Sequence, residues 1–192
     1  ERQPQANTMS VRTMRLPVRR GRMMAKRDDL SPQPSAVMLD LLRLDVGSVV
    51  AVVGHPIHVM MVHFPVAFVI ATLGVDVFYW WSGDPFWVRV GLWSTGMAFW
   101  SGVAASIVGT AELLLGRGIR LLEASWSHAV AAMTLVAIAG ANWGLRLVDT
   151  DSILPHGLAL SALASVMVGF AGWHGGKLVF DHGVGILISP KD

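Results

Sequence analysis

The chain contains no cysteine. This absence excludes disulfides, metal sites with thiolate ligands, iron–sulfur clusters held by cysteine, and haem attached covalently through a CxxCH motif. A buried cofactor would therefore have to be held by His, Met, Asp or Glu side chains. The GxSxG, HExxH and P-loop patterns are also absent from the sequence, which leaves no motif typical of a hydrolase or a nucleotide-binding enzyme.

Charged residues are scarce and unevenly distributed. They make up 15% of the 192 residues, against about 25% in soluble domains, whereas hydrophobic residues make up 53%. Nine of the 15 Lys and Arg residues precede Pro56. Residues 1–34 are basic, contain proline and have no apolar period, so we expect an extended cytoplasmic arm. On a membrane protein such an arm favours anionic lipid over nucleic acid as its partner.

Four long apolar runs follow the arm, each about as long as the 20 residues that a helix needs to cross a bilayer. They extend from residue 57 to about 81, from about 90 to 115, from about 128 to 148 and from about 153 to 179. Because the breaks between them are short, consecutive helices should run antiparallel. The sequence therefore predicts an all-α fold, an integral-membrane four-helix antiparallel bundle formed by residues 54–192.

Residues 35–53, between the arm and the bundle, predict a short amphipathic helix. Its apolar face would contain Met38, Leu41, Leu42 and Leu44. We expect this helix to lie on the membrane surface, with packing against another subunit as an equal alternative.

The distribution of Lys and Arg predicts the orientation, because cytoplasmic flanks collect these residues. One side would hold the arm and four further cations: Arg117, Arg120, Lys177 and Lys191. The other side would hold only Arg89 and Arg146. We therefore expect a multi-pass protein of a bacterial-type inner (cytoplasmic) membrane, with both termini in the cytoplasm.

Six of the seven histidines are predicted to share one leaflet, where odd helices begin and even helices end. They are His55, His58, His63, His128, His174 and His182. Glu112, near the end of the second helix, joins them. Ionisable groups at membrane depth are costly and by default mark a functional site.

The chemistry of this cluster has several possible interpretations. Haem would need two histidines on different helices, and His58 or His63 facing His128 or His174 meets that requirement. A zinc or di-metal site would need three or four ligands, one of which could be Glu112. A proton relay or a quinone site would need fewer groups beside a cleft. A single histidine at a helix end is explained more simply by contacts with water, lipid or backbone.

Three polar residues at the end of the helices opposite the histidines are expected to make structural contacts. Asp76 can pair with Arg146 or cap the chain locally, and Asn142 is expected to form a hydrogen bond between helices.

Four segments carry a family resemblance: GHPIHVMMVHFPVAF, SHAVAAM, ANWGLR and GWHGGKLVFDHGVGI. They resemble the predicted membrane proteins of domain-of-unknown-function family 2231, over roughly residues 54–186. The residues that match the family pattern are His55, Pro56, His58, His128, Gly175, Gly176, His182, Gly183 and Gly185. His63 matches only some members, His174 replaces an apolar residue, and Glu112 stands where Asp is more usual.

Domains of this family occur beside, or fused to, Rieske-type modules, so the resemblance implies redox work with b-type haem. The resemblance makes His58 and His128 the first candidate ligands, with His182 and His55 next.

These observations together predict a membrane electron-transfer subunit with no enzymatic activity of its own. It would bind haem b through His58 and His128, with His63 and His174 as alternatives, and link quinone to a partner redox protein. A second hypothesis is a structural accessory subunit of a respiratory or photosynthetic membrane complex, which binds lipid, pigment or no cofactor. A third is a small transporter or metal-binding protein.

Overall fold

The computed structural model describes residues 46–186. Within that range four helical segments are long and apolar enough to cross a membrane, here termed the first to fourth spans: Ile57–Ser82, Pro85–Leu115, Glu123–Val148 and His156–Phe180. This confirms the all-α, four-helix membrane bundle that the apolar runs predicted.

The spans are built from five helices and joined by short segments. The first span consists of α1 (Ile57–Met61) and α2 (His63–Ser82), which meet at Val62. The other spans are α3 (Pro85–Leu115), α5 (Glu123–Val148) and α6 (His156–Phe180), with the short helix α4 (Arg117–Leu121) between α3 and α5. A 3-10 turn, Thr150–Ile153, precedes α6.

Local sequence explains why the second span begins before the predicted residue 90. Gly83 ends α2 with a left-handed backbone, φ 64°, which glycine adopts without steric cost. Asp84 then accepts a hydrogen bond from the backbone N–H of Phe86 at 2.8 Å. Pro85 lies in the first helical turn, where its missing N–H costs nothing. These residues together start the helix at Pro85.

Small side chains form much of the bundle interior. The spans form a closed ring in which each span contacts two others, so the first also packs against the fourth. A central cluster takes one residue from each span: Val69, Ala98, Leu135 and Ala164. Large apolar side chains point outward, and Trp93 is 74% exposed. Close helix contact beneath an apolar outer surface is the arrangement expected in lipid.

The two ends of the bundle differ. One end, which we call the lid end, has a two-stranded antiparallel hairpin, β1 (Ala51–Val52) and β2 (His55–Pro56), directly before α1. The helix α4 lies at the same end, because it joins the second span to the third. The far end contains the connections that follow the first and third spans.

The hairpin corrects part of the prediction for residues 35–53. No helix forms in residues 46–53, which instead bend and enter β1. Residues 35–45 and the basic arm, residues 1–34, lie outside the described residues. The turn at Val53 and Gly54 has positive φ at both positions, 49° and 80°, which a helix does not allow. The amphipathic pattern did not reveal this turn because the residues around it are apolar valines.

A buried ion pair connects three spans at the far end. The carboxylate of Asp76 accepts hydrogen bonds from Arg146 Nη1 at 2.8 Å and Nη2 at 2.6 Å, and both side chains are 1% exposed. Ser161 donates to the same carboxylate at 2.6 Å, and Asn142 Oδ1 accepts from Arg146 Nε at 2.9 Å. Asn142 Nδ2 also donates to Ser161 Oγ at 2.9 Å. Asp76 therefore pairs with Arg146, and Asn142 makes the interhelical bond that was expected.

Two glycines leave room for the guanidinium group. A Cβ atom built on Gly91 would lie 2.6 Å from Arg146 Nη1, and one built on Gly157 would lie 3.1 Å from Nη2. The ion pair is thus enclosed by all four spans, because Gly91 belongs to the second and Gly157 to the fourth.

We expect Asp76→Asn to destabilise the bundle strongly, because it leaves the buried charge of Arg146 without its counter-ion. Removing one partner of a buried pair costs about 3–5 kcal/mol. The midpoint of thermal unfolding in detergent, followed by circular dichroism, measures the effect. Arg89→Ala is the control, since Arg89 is exposed in the neighbouring span. An Asp76→Asn variant as stable as the parent protein would contradict this account of the ion pair.

Candidate functional site

A cavity occupies the lid half of the bundle and extends to its centre. Its volume is about 340 Å³, within the range of about 300–1,000 Å³ typical of ligand pockets. All four spans line it, together with the hairpin segment and α4. The walls are mainly apolar and small, and their ionisable side chains are His58, Glu112 and His128.

The imidazole of each cavity histidine is fixed by a backbone carbonyl on the next span. His58 Nδ1 lies 2.9 Å from the carbonyl oxygen of Ala105, and His128 Nδ1 lies 3.1 Å from that of Ala171. A carbonyl oxygen only accepts, so Nδ1 is the protonated nitrogen in both rings. In the neutral imidazole Nε2 then has the free lone pair, and this is the arrangement usual for a metal-binding histidine.

A glycine makes space beside each ring. A Cβ atom built on Gly109 would lie 2.5 Å from His58 Cε1, and one built on Gly175 would lie 3.1 Å from His128 Cε1. Each glycine is four residues after the alanine whose carbonyl binds the same ring, in the segments Ala105–Gly109 and Ala171–Gly175. The first and second spans therefore hold His58 in the way that the third and fourth spans hold His128.

The two rings face each other across the bundle. Their centroids are 6.4 Å apart, and their planes are inclined by 74°. Two rings this close on different spans could both ligate one metal centre through their free nitrogens.

Glu112 lines the cavity but binds backbone. Its carboxylate oxygens accept hydrogen bonds from the N–H groups of Val49 at 2.8 Å and Val50 at 2.9 Å. It thereby attaches the segment before β1 to the second span. Within residues 46–186 no three or more His, Asp or Glu side chains are grouped as a metal ion would require. The described part of the chain thus offers no three-ligand site that includes Glu112.

The other predicted site residues make contacts outside the cavity. His55 is exposed, and its Nδ1 contacts the carbonyl of Val53. His63 is exposed and contacts the carbonyl of Met60. His174 bonds within its own helix, to the carbonyl of Phe170, and its ring packs on that of Phe170. His182 is half-buried beyond α6. None of these four residues lines the cavity.

Sequence reasoning missed the residues that support the histidines. Ala105, Gly109, Ala171 and Gly175 were not identified as neighbours of the rings, although Gly175 matched the family pattern. The repeated spacing of alanine and glycine could have indicated them, but this pattern is common in membrane helices, where it normally serves packing.

Ser125 was also missed. It is 3% exposed and lines the cavity one helical turn before His128. Its hydroxyl is the buried side-chain polar atom without a hydrogen-bond partner within the described residues. Nothing in the sequence distinguishes it from Ser127, two positions later, which is exposed and bonds to the carbonyl of Glu123.

Comparison with known proteins gives one match. The model of a family described as predicted membrane proteins, DUF2231, matches residues 54–187. This region contains all four spans, both cavity histidines and the hairpin residues from Gly54 onward. No curated protein and no solved structure matched the chain.

We expect Gly109→Ala to disturb the His58 ring, because the added methyl group would overlap Cε1. Overpacking of this kind costs about 1–3 kcal/mol. Thermal unfolding measures it, with Gly169→Ala as the control, since a Cβ atom there meets nothing within 4 Å. If both variants unfold at the same temperature, the close contact between Gly109 and His58 is wrong.

We expect Glu112→Ala to release the segment before β1, since two backbone N–H groups lose their acceptor. Amide hydrogen exchange of Val49 and Val50, followed by mass spectrometry of the peptides around the hairpin, should become faster. Glu123→Ala is the control because Glu123 is exposed in the first turn of α5. Unchanged exchange in Glu112→Ala would show that other contacts hold the segment.

Proposed function

We propose that this chain, which belongs to the DUF2231 family of membrane proteins, is an electron-transfer subunit that binds haem b between His58 and His128. The observation that supports this proposal most directly is the pair of imidazoles, with ring centroids 6.4 Å apart, in the wall of a cavity lined by all four spans. Each ring has Nδ1 bonded to a carbonyl, so Nε2 would be the ligating nitrogen. A pair of histidines on facing helices is sufficient for haem, because the porphyrin itself supplies the other four iron ligands.

The composition of the site favours haem over a bare metal ion. Zinc and other divalent ions normally take three or four protein ligands, and within residues 46–186 no such group occurs. Covalent c-type attachment is excluded because a sequence without cysteine cannot form thioether bonds, and the haem proposed here is the b type.

The residues of the cavity would set the properties of the iron. Bound there, haem would supply a one-electron couple. The Ala105 and Ala171 carbonyls would orient the two imidazoles and increase their donor strength, which favours the ferric state. The apolar wall would exclude water and favour the form of lower charge. The chain contributes ligands and a low-dielectric environment, and we expect it to make or break no bonds in a substrate.

Quinone is the proposed electron donor or acceptor on the lipid side, and a redox protein is the proposed partner at the lid end. The lid end is also where the cationic residues Arg117, Arg120 and Lys177 are found. By the distribution of Lys and Arg we place this end at the cytoplasmic face of a bacterial-type inner membrane. The basic arm, residues 1–34, would bind anionic lipid at the same face.

A second candidate is a structural accessory subunit of a respiratory or photosynthetic complex, supported by the aromatic outer surface. Trp93 and Trp100 are 74% and 58% exposed in the second span, and Trp173 is 71% exposed in the fourth. Trp93 and Trp100 lie well inside the second span rather than at its ends, where tryptophans normally mark the membrane interface. Such a surface suits contact with pigments or with the spans of other subunits. The two functions are compatible in one protein.

The haem proposal is tested by absorbance spectra of the full chain, purified with its native partners. We expect a b-type α-band in the dithionite-reduced minus oxidised spectrum, and protohaem in a pyridine haemochrome assay. His58→Ala and His128→Ala should each lose the sharp α-band, because one axial ligand is missing.

The controls are His63→Ala and His174→Ala, whose rings lie outside the cavity, and both should keep the band. A band that survives His58→Ala but disappears in His63→Ala would assign the ligand to another residue. A featureless spectrum from folded protein would overturn the haem proposal and leave the accessory function.

A further inference from the structure

The lid half of the cavity contains one buried hydroxyl without a partner. Ser125 is 3% exposed, lines the cavity, and its Oγ atom has no hydrogen bond within the described residues. Burying a hydroxyl without a partner is unfavourable, so such groups normally have a ligand or a water in reach. A ligand that fills the cavity would lie beside this residue.

Ser125 also lies in the first turn of its helix, which has no side-chain cap. It is the third residue of α5, which has 26 residues, and Leu122 at the N-cap provides no side-chain hydrogen bond to the first turn. The N-terminal turn of a helix bears partial positive charge from the aligned peptide dipoles and favours an anion. A hydroxyl donor in an uncapped first turn is thus suited to a carboxylate.

The carboxylates of Glu112 and Glu123 do not bond to the Ser125 hydroxyl. Glu112 lines the same cavity, but its two oxygens accept from the N–H groups of Val49 and Val50. Glu123, at the start of α5, is exposed. Among the described residues, therefore, neither of these carboxylates is a partner of the Ser125 hydroxyl.

We propose that Ser125 and the first turn of α5 form a carboxylate-binding site for the cofactor held by His58 and His128. This inference rests on the proposed function. The peripheral polar groups of haem b are its two propionate carboxylates, and Ser125 lies one helical turn from His128 on the lid side. Ser125 donates a hydrogen bond to one propionate and so determines which edge of the macrocycle faces the lid end.

The experiment compares two probes on the purified full chain stripped of cofactor: haemin, and haemin dimethyl ester, which lacks both carboxylates. Titrations followed in the Soret band give the dissociation constants. We expect Ser125→Ala to weaken haemin binding about tenfold, as the loss of a hydrogen bond to a charged group would do, and to leave ester binding unchanged. Ser125→Thr, which keeps the hydroxyl, should restore most of the haemin affinity.

Ser127→Ala is the matched control, since Ser127 lies on the same turn but bonds to its own helix, and it should bind both probes like the parent protein. Two outcomes overturn the inference alone: Ser125→Ala binds haemin with parental affinity, or it weakens haemin and the ester equally, which would mean a packing role. If the parent protein binds neither probe with a bis-histidine spectrum, the proposed function itself fails.

Discussion

A polar group in the hydrocarbon core has no water to bond with, so it must find its partners inside the chain. The far end of the bundle meets this requirement completely: Asp76, Arg146, Asn142 and Ser161 bond to one another. The lid half does not. There the described residues leave the Ser125 hydroxyl without a partner and position two imidazoles that each use only Nδ1 for a backbone contact. The two ends therefore differ: the far end holds a closed polar cluster, and the lid half holds the cavity with its two imidazoles.

The sequence predicted the spans well because their signal is long and repetitive. About 20 consecutive apolar residues suffice to mark a span, and short breaks then determine the antiparallel order and the common end of six histidines. Boundaries were less accurate, since the capping of Pro85 by Asp84 depends on single residues in front of the apolar run. The hairpin was missed for a related reason: valines are compatible with both an amphipathic helix and a strand, and neither the turn at Val53 and Gly54 nor the contact with Glu112 is visible in the pattern.

Choosing among the histidines required packing information that one sequence does not contain. His58 and His63 lie on the same span, yet the first points at the carbonyl of Ala105 and the second is exposed. Glu112 has the charge expected of a metal ligand, but its oxygens are used by two backbone amides. The family resemblance made His58 and His128 the first candidate ligands because both lie in its motifs. In the structure the same two imidazoles line the cavity, with ring centroids 6.4 Å apart.

The repeated arrangement of alanine carbonyl, glycine and histidine also has a mechanical consequence. The first two spans form one helical pair that holds one imidazole, and the last two form a second pair that holds the other, while the ion pair joins the two helical pairs at the opposite end. His58 and Asp76 are 18 residues apart, which corresponds to about 27 Å along a helix. If one helical pair rotated by about 2° relative to the other around the ion pair, a ring about 27 Å away would move by about 1 Å. The separation of the His58 and His128 rings therefore depends on the angle between the two helical pairs.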